Sequence, residues 1–132
     1  GCAISGIPGH NIENVTLSDI SIQVSGEGKA EHKVGRVPEN EAEYPEANMF
    51  GNLPAYGFYT RHVNNIHFDN IQLSFNKTED RPAMVFEEVN NLVLSGVYVK
   101  DTENVDHSVL LNKVSDYTKS GGNIKIKLSS EE

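Results

Sequence analysis

The side chains best able to do chemistry in this chain are its acids and histidines, with 19 Asp and Glu, 5 His and a single Cys. Neighbouring carboxylates occur at Glu79 and Asp80, at Glu87 and Glu88, and at Asp101, Glu103 and Asp106. Acid–base hydrolysis by two carboxylates with inversion needs them on opposite sides of the scissile bond, about 6.5 to 9.5 Å apart. Glu87 and Glu88 are adjacent in a strand-like stretch, so alternation sends them to opposite faces. Asp101, Glu103 and Asp106 fall in a turn-rich stretch and read as solvated. No catalytic residue is assigned. His10, His32, His62, His67 and His107 lack a His-x3-His spacing, and Cys2 alone makes neither a disulfide framework nor a thiolate cluster. No metal and no cofactor is expected. The offset from His62 to Glu88 is 88 − 62 = 26. They are expected to form a salt bridge or hydrogen bond rather than a metal-ligand pair.

Contact chemistry is better represented. Tyr44, Tyr56, Phe58, Tyr59, Arg61 and His62 cluster around one part of the sequence. Aromatic rings there are suited to stacking on sugars, and Arg61 to pairing with a carboxylate. On a strand Tyr59 and Arg61 share one face while Phe58 and Thr60 share the other. Phe58 reads as core, and Tyr44 and Tyr56 as contact residues or surface filler. The substrate-contact candidates are Tyr59, Arg61, His62, Tyr56 and Tyr44.

These residues sit on a repeat. Asn65 to Leu73 alternates apolar and polar residues about an Asn-type break, and the pattern recurs from Asn14 to Ile22 and from Asn91 to Val99. The offset from Asn65 to Asn91 is 91 − 65 = 26, whereas that from Asn14 to Asn65 is 65 − 14 = 51, which implies a hidden coil between the first two copies. A period of about 25 residues with short strands predicts an all-β solenoid of about four to five coils, each burying its inward residues against its neighbours. Val15, Leu17, Ile20 and Ile22 should then stack on Ile66, Phe68, Ile71 and Leu73, and these on Leu92, Leu94, Val97 and Val99. Asn, Asp and Gly at the breaks tolerate the left-handed backbone of a sharp bend. An antiparallel sandwich also allows regular turns, but gives no reason for a fixed register.

The 132 residues suit one domain, with a charged insertion at about 26–50 and a polar tail at 129–132 expected to fray. A formal charge of −8 with no basic stripe argues against a nucleic-acid partner. No apolar run is long enough to span a membrane, and no signal peptide is present. Cys2 is expected to be a small buried hydrophobe. The first coil, opening on Cys2, Ala3 and Ile4, shows no polar cap, so self-association through this N-terminal coil is expected. The sequons Asn14-Val15-Thr16 and Asn76-Lys77-Thr78 would mark glycosylation in a eukaryotic secreted protein, although Asn14 also reads as a turn residue.

The ordered set Pro8-Gly9-His10, Tyr44-Pro45-Glu46, Phe50-Gly51 through Leu53-Pro54-Ala55-Tyr56-Gly57, Arg61-His62 and Asp80-Arg81-Pro82-Ala83 resembles the C-terminal coils of glycoside hydrolase family 28. This is the polygalacturonase and rhamnogalacturonase group, in its bacterial branch, and the resemblance covers roughly 4–99. It implies a right-handed parallel β-helix, a pectic polysaccharide substrate and a location outside the cytoplasm. The family's Asn-Thr-Asp, Asp-Asp, Gly-His-Gly and Arg-Ile-Lys motifs do not occur here. His10 is followed by Asn11, so the family role of the Gly-His-Gly histidine is not carried over. The resemblance therefore implies a C-terminal portion of a pectin-degrading hydrolase, inactive alone, that contributes to the substrate cleft and to fold stability. The alternative is a non-catalytic carbohydrate-binding or self-assembly module.

Overall fold

The computed structural model describes residues 2–25, 53–102 and 105–129. The insertion at 26–50, with Tyr44, lies outside the described residues, as do Glu103 and all of the tail but Ser129. The described chain is all-β. Its strands are β1 (Cys2–Ser5), β2 (Ile12–Val24), β3 (Phe58–Phe75), β4 (Met84–Val99), β5 (Val109–Ser120) and β6 (Ile126–Leu128).

Every ladder between these strands is parallel, in the order β1-β3-β4-β5-β6, with β2 also on β3. The Ile7–His10 bridge is the one antiparallel pairing among the described residues. Hairpin connections are thereby excluded, and the sandwich with them. Phe58 pairs with Met84 and Met84 with Val109, so the register advances by 84 − 58 = 26 from β3 to β4 and by 109 − 84 = 25 from β4 to β5. Val15, Ile66 and Leu92 are in register, as are Leu17, Phe68 and Leu94, then Ile20, Ile71 and Val97, then Ile22, Leu73 and Val99.

One expectation is corrected. The interval from Asn14 to Asn65 hides no intervening tier, because β2 pairs directly with β3. β1 and β2 together form one tier against the single long β3, and the surplus residues belong to the connection between β2 and β3.

The strands are long because they turn corners without losing their pairing. Left-handed φ values form columns that follow the register: Asn14, Asn65, Asn91 and Asp116 make one, and Asp19, Asn70, Gly96 and Gly121 another. Asn and Asp tolerate this backbone, and their stacked side chains add bonds between tiers. Asn65 Nδ2 donates to Asn14 Oδ1 at 3.0 Å, Asn91 Nδ2 to Asn65 Oδ1 at 2.8 Å, and Asn70 Nδ2 to Asp19 Oδ1 at 2.7 Å.

Between the corners, inward residues form one apolar core running through the tiers. Phe68 lies at its centre, edge-on to Phe58 at 5.1 Å and to Phe86 at 5.6 Å between ring centroids. Thr60 is in the same interior, fully buried, and its Oγ1 has no hydrogen-bond partner among the described residues. A buried hydroxyl left unbonded costs free energy that an apolar group of the same shape avoids. Thr60→Val is therefore expected to stabilise the fold by about 1 kcal/mol, read as a higher urea midpoint with an unchanged slope.

The two ends of the core differ. On β5, Tyr117 and Lys119 occupy the register positions held by Leu92 and Leu94 on β4, so polar tips close the apolar column. Asn123 then acts as a side-chain strand. Its Oδ1 accepts from Val99 N at 2.8 Å and its Nδ2 donates to Val99 O at 2.9 Å. Gly122 permits this return, since a Cβ there would stand 2.1 Å from Val97 O. At the opposite end Ile4, Ile12, Val15, Leu17, Ile20, Ile22 and Val24 pack on the core but stay only partly buried. Cys2 is exposed, contrary to the expectation of burial, because β1 has β3 as its only neighbouring strand among the described residues.

Candidate functional site

The region Leu53 to His62, which carries four of the five contact candidates, is fixed by a clamp of charged side chains. The Glu79 carboxylate accepts from Arg81 Nε at 2.6 Å and Nη2 at 2.9 Å. Arg81 Nη1 donates to Leu53 O at 3.2 Å, and Arg81 O accepts from Thr102 Oγ1 at 2.6 Å. The start of β3's tier and the turns on either side of β4 are thereby joined. Gly57 follows because no side chain fits: a Cβ would sit 2.7 Å from both Ala83 O and Leu73 Cδ1.

Tyr56 is neither surface filler nor an exposed sugar platform. It is 1% exposed, packs edge-on against Phe75 at 5.2 Å, and donates its hydroxyl to Lys100 O at 2.8 Å and Leu73 O at 3.3 Å. Burial raises its pKa well above the ordinary 10.0. The unfolded chain then releases this proton more readily than the folded one. The corresponding stability is intact below pH 10 and is lost as pH climbs from there toward the raised value. Tyr56→Phe should flatten the alkaline limb of the stability–pH curve, at a cost near neutrality of about 1 kcal/mol for the lost hydrogen bonding. Denaturant titrations at a series of alkaline pH values measure both effects.

Tyr59 and Arg61 share a face, as strand alternation requires, but both are buried, at 0% and 2% exposure. Tyr59 lies among Ala55, Val85, Leu53 and Leu110. Its hydroxyl donates to Glu87 Oε2 at 2.5 Å, Arg61 Nη1 stands 3.9 Å from the same oxygen, and the guanidinium lies 5.5 Å from the Tyr59 ring centre. The Tyr59 ring is thus enclosed by protein, and Arg61 answers a carboxylate of its own chain.

Next to this buried group the surface opens into a cleft. His62, Glu88 and Lys113 form a third column of left-handed residues, with φ of 58°, 51° and 56°. None of the three is an Asn or Gly, so this corner holds strained backbone that the amide columns avoid. Because Glu88 sits at a bend, strict alternation does not describe Glu87 and Glu88. Glu87 turns to Tyr59 and Arg61, while Glu88 Oε2 meets His62 Nδ1 at 3.3 Å. The expected pairing of His62 with Glu88 is present. Pro8, Gly9, Asn11, His62, Glu88, Asn90 and Lys113 line an open cleft of about 530 Å³. Asn64 Oδ1 organises its amides, accepting from Asn11 Nδ2 at 3.1 Å and from Asn90 Nδ2 at 2.7 Å.

The other carboxylates are arranged for solvent. Asp101 is exposed beside Lys125 at 3.5 Å. The Asp106 side chain is 94% exposed, and its hydrogen bond with the His107 ring holds the carboxyl below the usual range. No cluster of His, Cys, Asp and Glu among the described residues could hold a metal ion. No helix among them is long and apolar enough to cross a membrane. Open aromatic surface instead belongs to Tyr98, 52% exposed, and Tyr117, 40% exposed, which the sequence reading did not single out. The 26-residue offset already links His62 to Glu88 in the sequence. One further step, 88 + 25 = 113, reaches Lys113.

These features define an all-β protein on a parallel, in-register ladder, with a polar cleft along one of its corners. Compared with protein-family models, with curated proteins and with solved structures, the chain has no match.

Proposed function

We propose that this chain is the C-terminal portion of a right-handed parallel β-helix from a pectin-degrading glycoside hydrolase of family 28. In this reading it contributes one wall of the substrate cleft and stabilises the tiers beside β1 and β2. Alone, it does not cleave substrate. The observation supporting this most directly is the parallel register with its near-constant step and Asn-type corners, in a chain that also carries the ordered motif set described above. A pectic polysaccharide as partner and a location outside the cytoplasm belong to the same reading. The test is a long incubation of the chain with polygalacturonate and with rhamnogalacturonan, followed by a reducing-end assay. No release above blank is expected. Turnover abolished by a point mutation in this chain would refute the reading.

The β1–β2 edge supports a second reading, a self-assembling module. The segment from Cys2 to Ser25 contains no Lys or Arg and β2 contains no Pro, so of the charges and prolines that blunt an edge strand β2 carries only the acidic Glu13 and Asp19. Its inward row is also only partly buried. Association through this tier, most simply as a two-fold pair, would appear in light scattering as a mass rising with concentration. A monomer at every concentration removes this second reading.

A further inference from the structure

The corner cleft holds a charge that no other described residue engages. Among the described residues no hydrogen bond or ion pair engages Lys113, although it is exposed and lines the cleft. Its neighbours are already committed: Glu88 to His62, and Asn90 to Asn64 through Nδ2 and to Ser115 through Oδ1. Asn11 spends its Nδ2 on Asn64, which leaves its Oδ1 without a partner among the described residues. The cleft thus offers one ammonium, one carboxylate with an imidazole 3.3 Å away, and an amide acceptor.

The lining residues come from four successive tiers, with Asn11 beside β2, His62 on β3, Glu88 on β4 and Lys113 on β5. Neighbouring strands are about 4.8 Å apart, so three steps span about 14 Å. That suits an elongated ligand lying across the strands. A polyphosphate is disfavoured, because one Lys in a chain of formal charge −8 neutralises too little. An apolar ligand would leave the polar lining unsatisfied. A divalent cation would find one carboxylate, already held by His62.

We propose that this cleft binds a short carboxylate-bearing oligosaccharide, with a ligand carboxylate on Lys113 and ligand hydroxyls donating to Glu88 and to Asn11 Oδ1. The inference rests on the pectic reading and adds the place and the contacts. An exposed ion pair is weak and salt-sensitive, so affinity should be about millimolar and should fall with added salt.

The test is an amide-resolved NMR titration of the isotope-labelled chain with trigalacturonate, its methyl ester and triglutamate, repeated on Lys113→Met. Trigalacturonate should shift His62, Glu88, Asn90 and Lys113, and Lys113→Met should weaken it about fivefold at low salt. The methyl ester should bind the parent as weakly as trigalacturonate binds the variant. If trigalacturonate shifts other residues, such as those around Tyr98, and is indifferent to Lys113→Met, the cleft assignment is overturned while the pectic reading stands. Equal binding of triglutamate overturns recognition of the sugar. No shift with either saccharide overturns the inference and the pectic reading together.

Discussion

Replacing Phe68 by alanine should lower the unfolding free energy by about 3 to 5 kcal/mol, a large share of the roughly 5 to 15 kcal/mol that holds an ordinary domain together. The side chain is fully buried and touches aromatic rings on its own strand and on the next, Phe58 and Phe86. It is in register with Leu17 above and Leu94 below, so its removal opens a void that three tiers share. Paired strands cannot close such a void without giving up their register, which puts the cost toward the upper part of the range. Urea denaturation followed by circular dichroism should show a lower midpoint with an unchanged slope. Phe68→Leu keeps most of the volume and should cost less than half as much. Equal losses from the two variants would show that the site is not close-packed.

Arg81→Ala should cost a similar amount, about 3 to 5 kcal/mol, by a different mechanism. The Glu79 side chain has no solvent exposure, and its two oxygens are bonded by Arg81 Nε, Nη2 and backbone N. Removing the guanidinium strands a carboxylate in the interior and frees Leu53 O, the clamp on the segment leading into β3. Leaving one charge of a buried pair uncompensated is worse than replacing both. The double variant Glu79→Leu with Arg81→Met should therefore recover more than half of the loss, and a double-mutant cycle on urea midpoints measures the coupling. A double variant as unstable as Arg81→Ala would place the cost in the lost Leu53 contact instead. Hydrogen exchange should separate the two variants: Arg81→Ala should loosen amides at 53–58 before those of β4, while Phe68→Ala should lower protection in β3 and β4 together.

The stacking of these strands was legible in the sequence because it depends on local properties. Alternation decides which residues point inward, and Asn or Asp at fixed offsets marks where the backbone can turn left-handed. These two signals sufficed to place Ile66 on Leu92 and Phe68 on Leu94, and to pair His62 with Glu88 across tiers. They could not resolve the long step from Asn14 to Asn65, since a longer connection and an extra tier leave the same spacing; the direct pairing of β2 with β3 decides it. Nor could they reveal the third bend column, because Glu88 and Lys113, which share it with His62, have no preference for left-handed backbone and are held there by the ladders on either side. Alternation put Tyr59 and Arg61 on one face but could not say that this face is covered. What covers it includes Val85 and Leu110, residues distant in sequence, and that burial also supplies Glu87 as the partner of both. The same holds for Tyr56, whose hydroxyl finds its acceptors at Leu73 and Lys100. Strand period and corner chemistry belong to each segment alone, whereas burial, and with it the choice of residues left open to a ligand, is a property of the tiers once assembled.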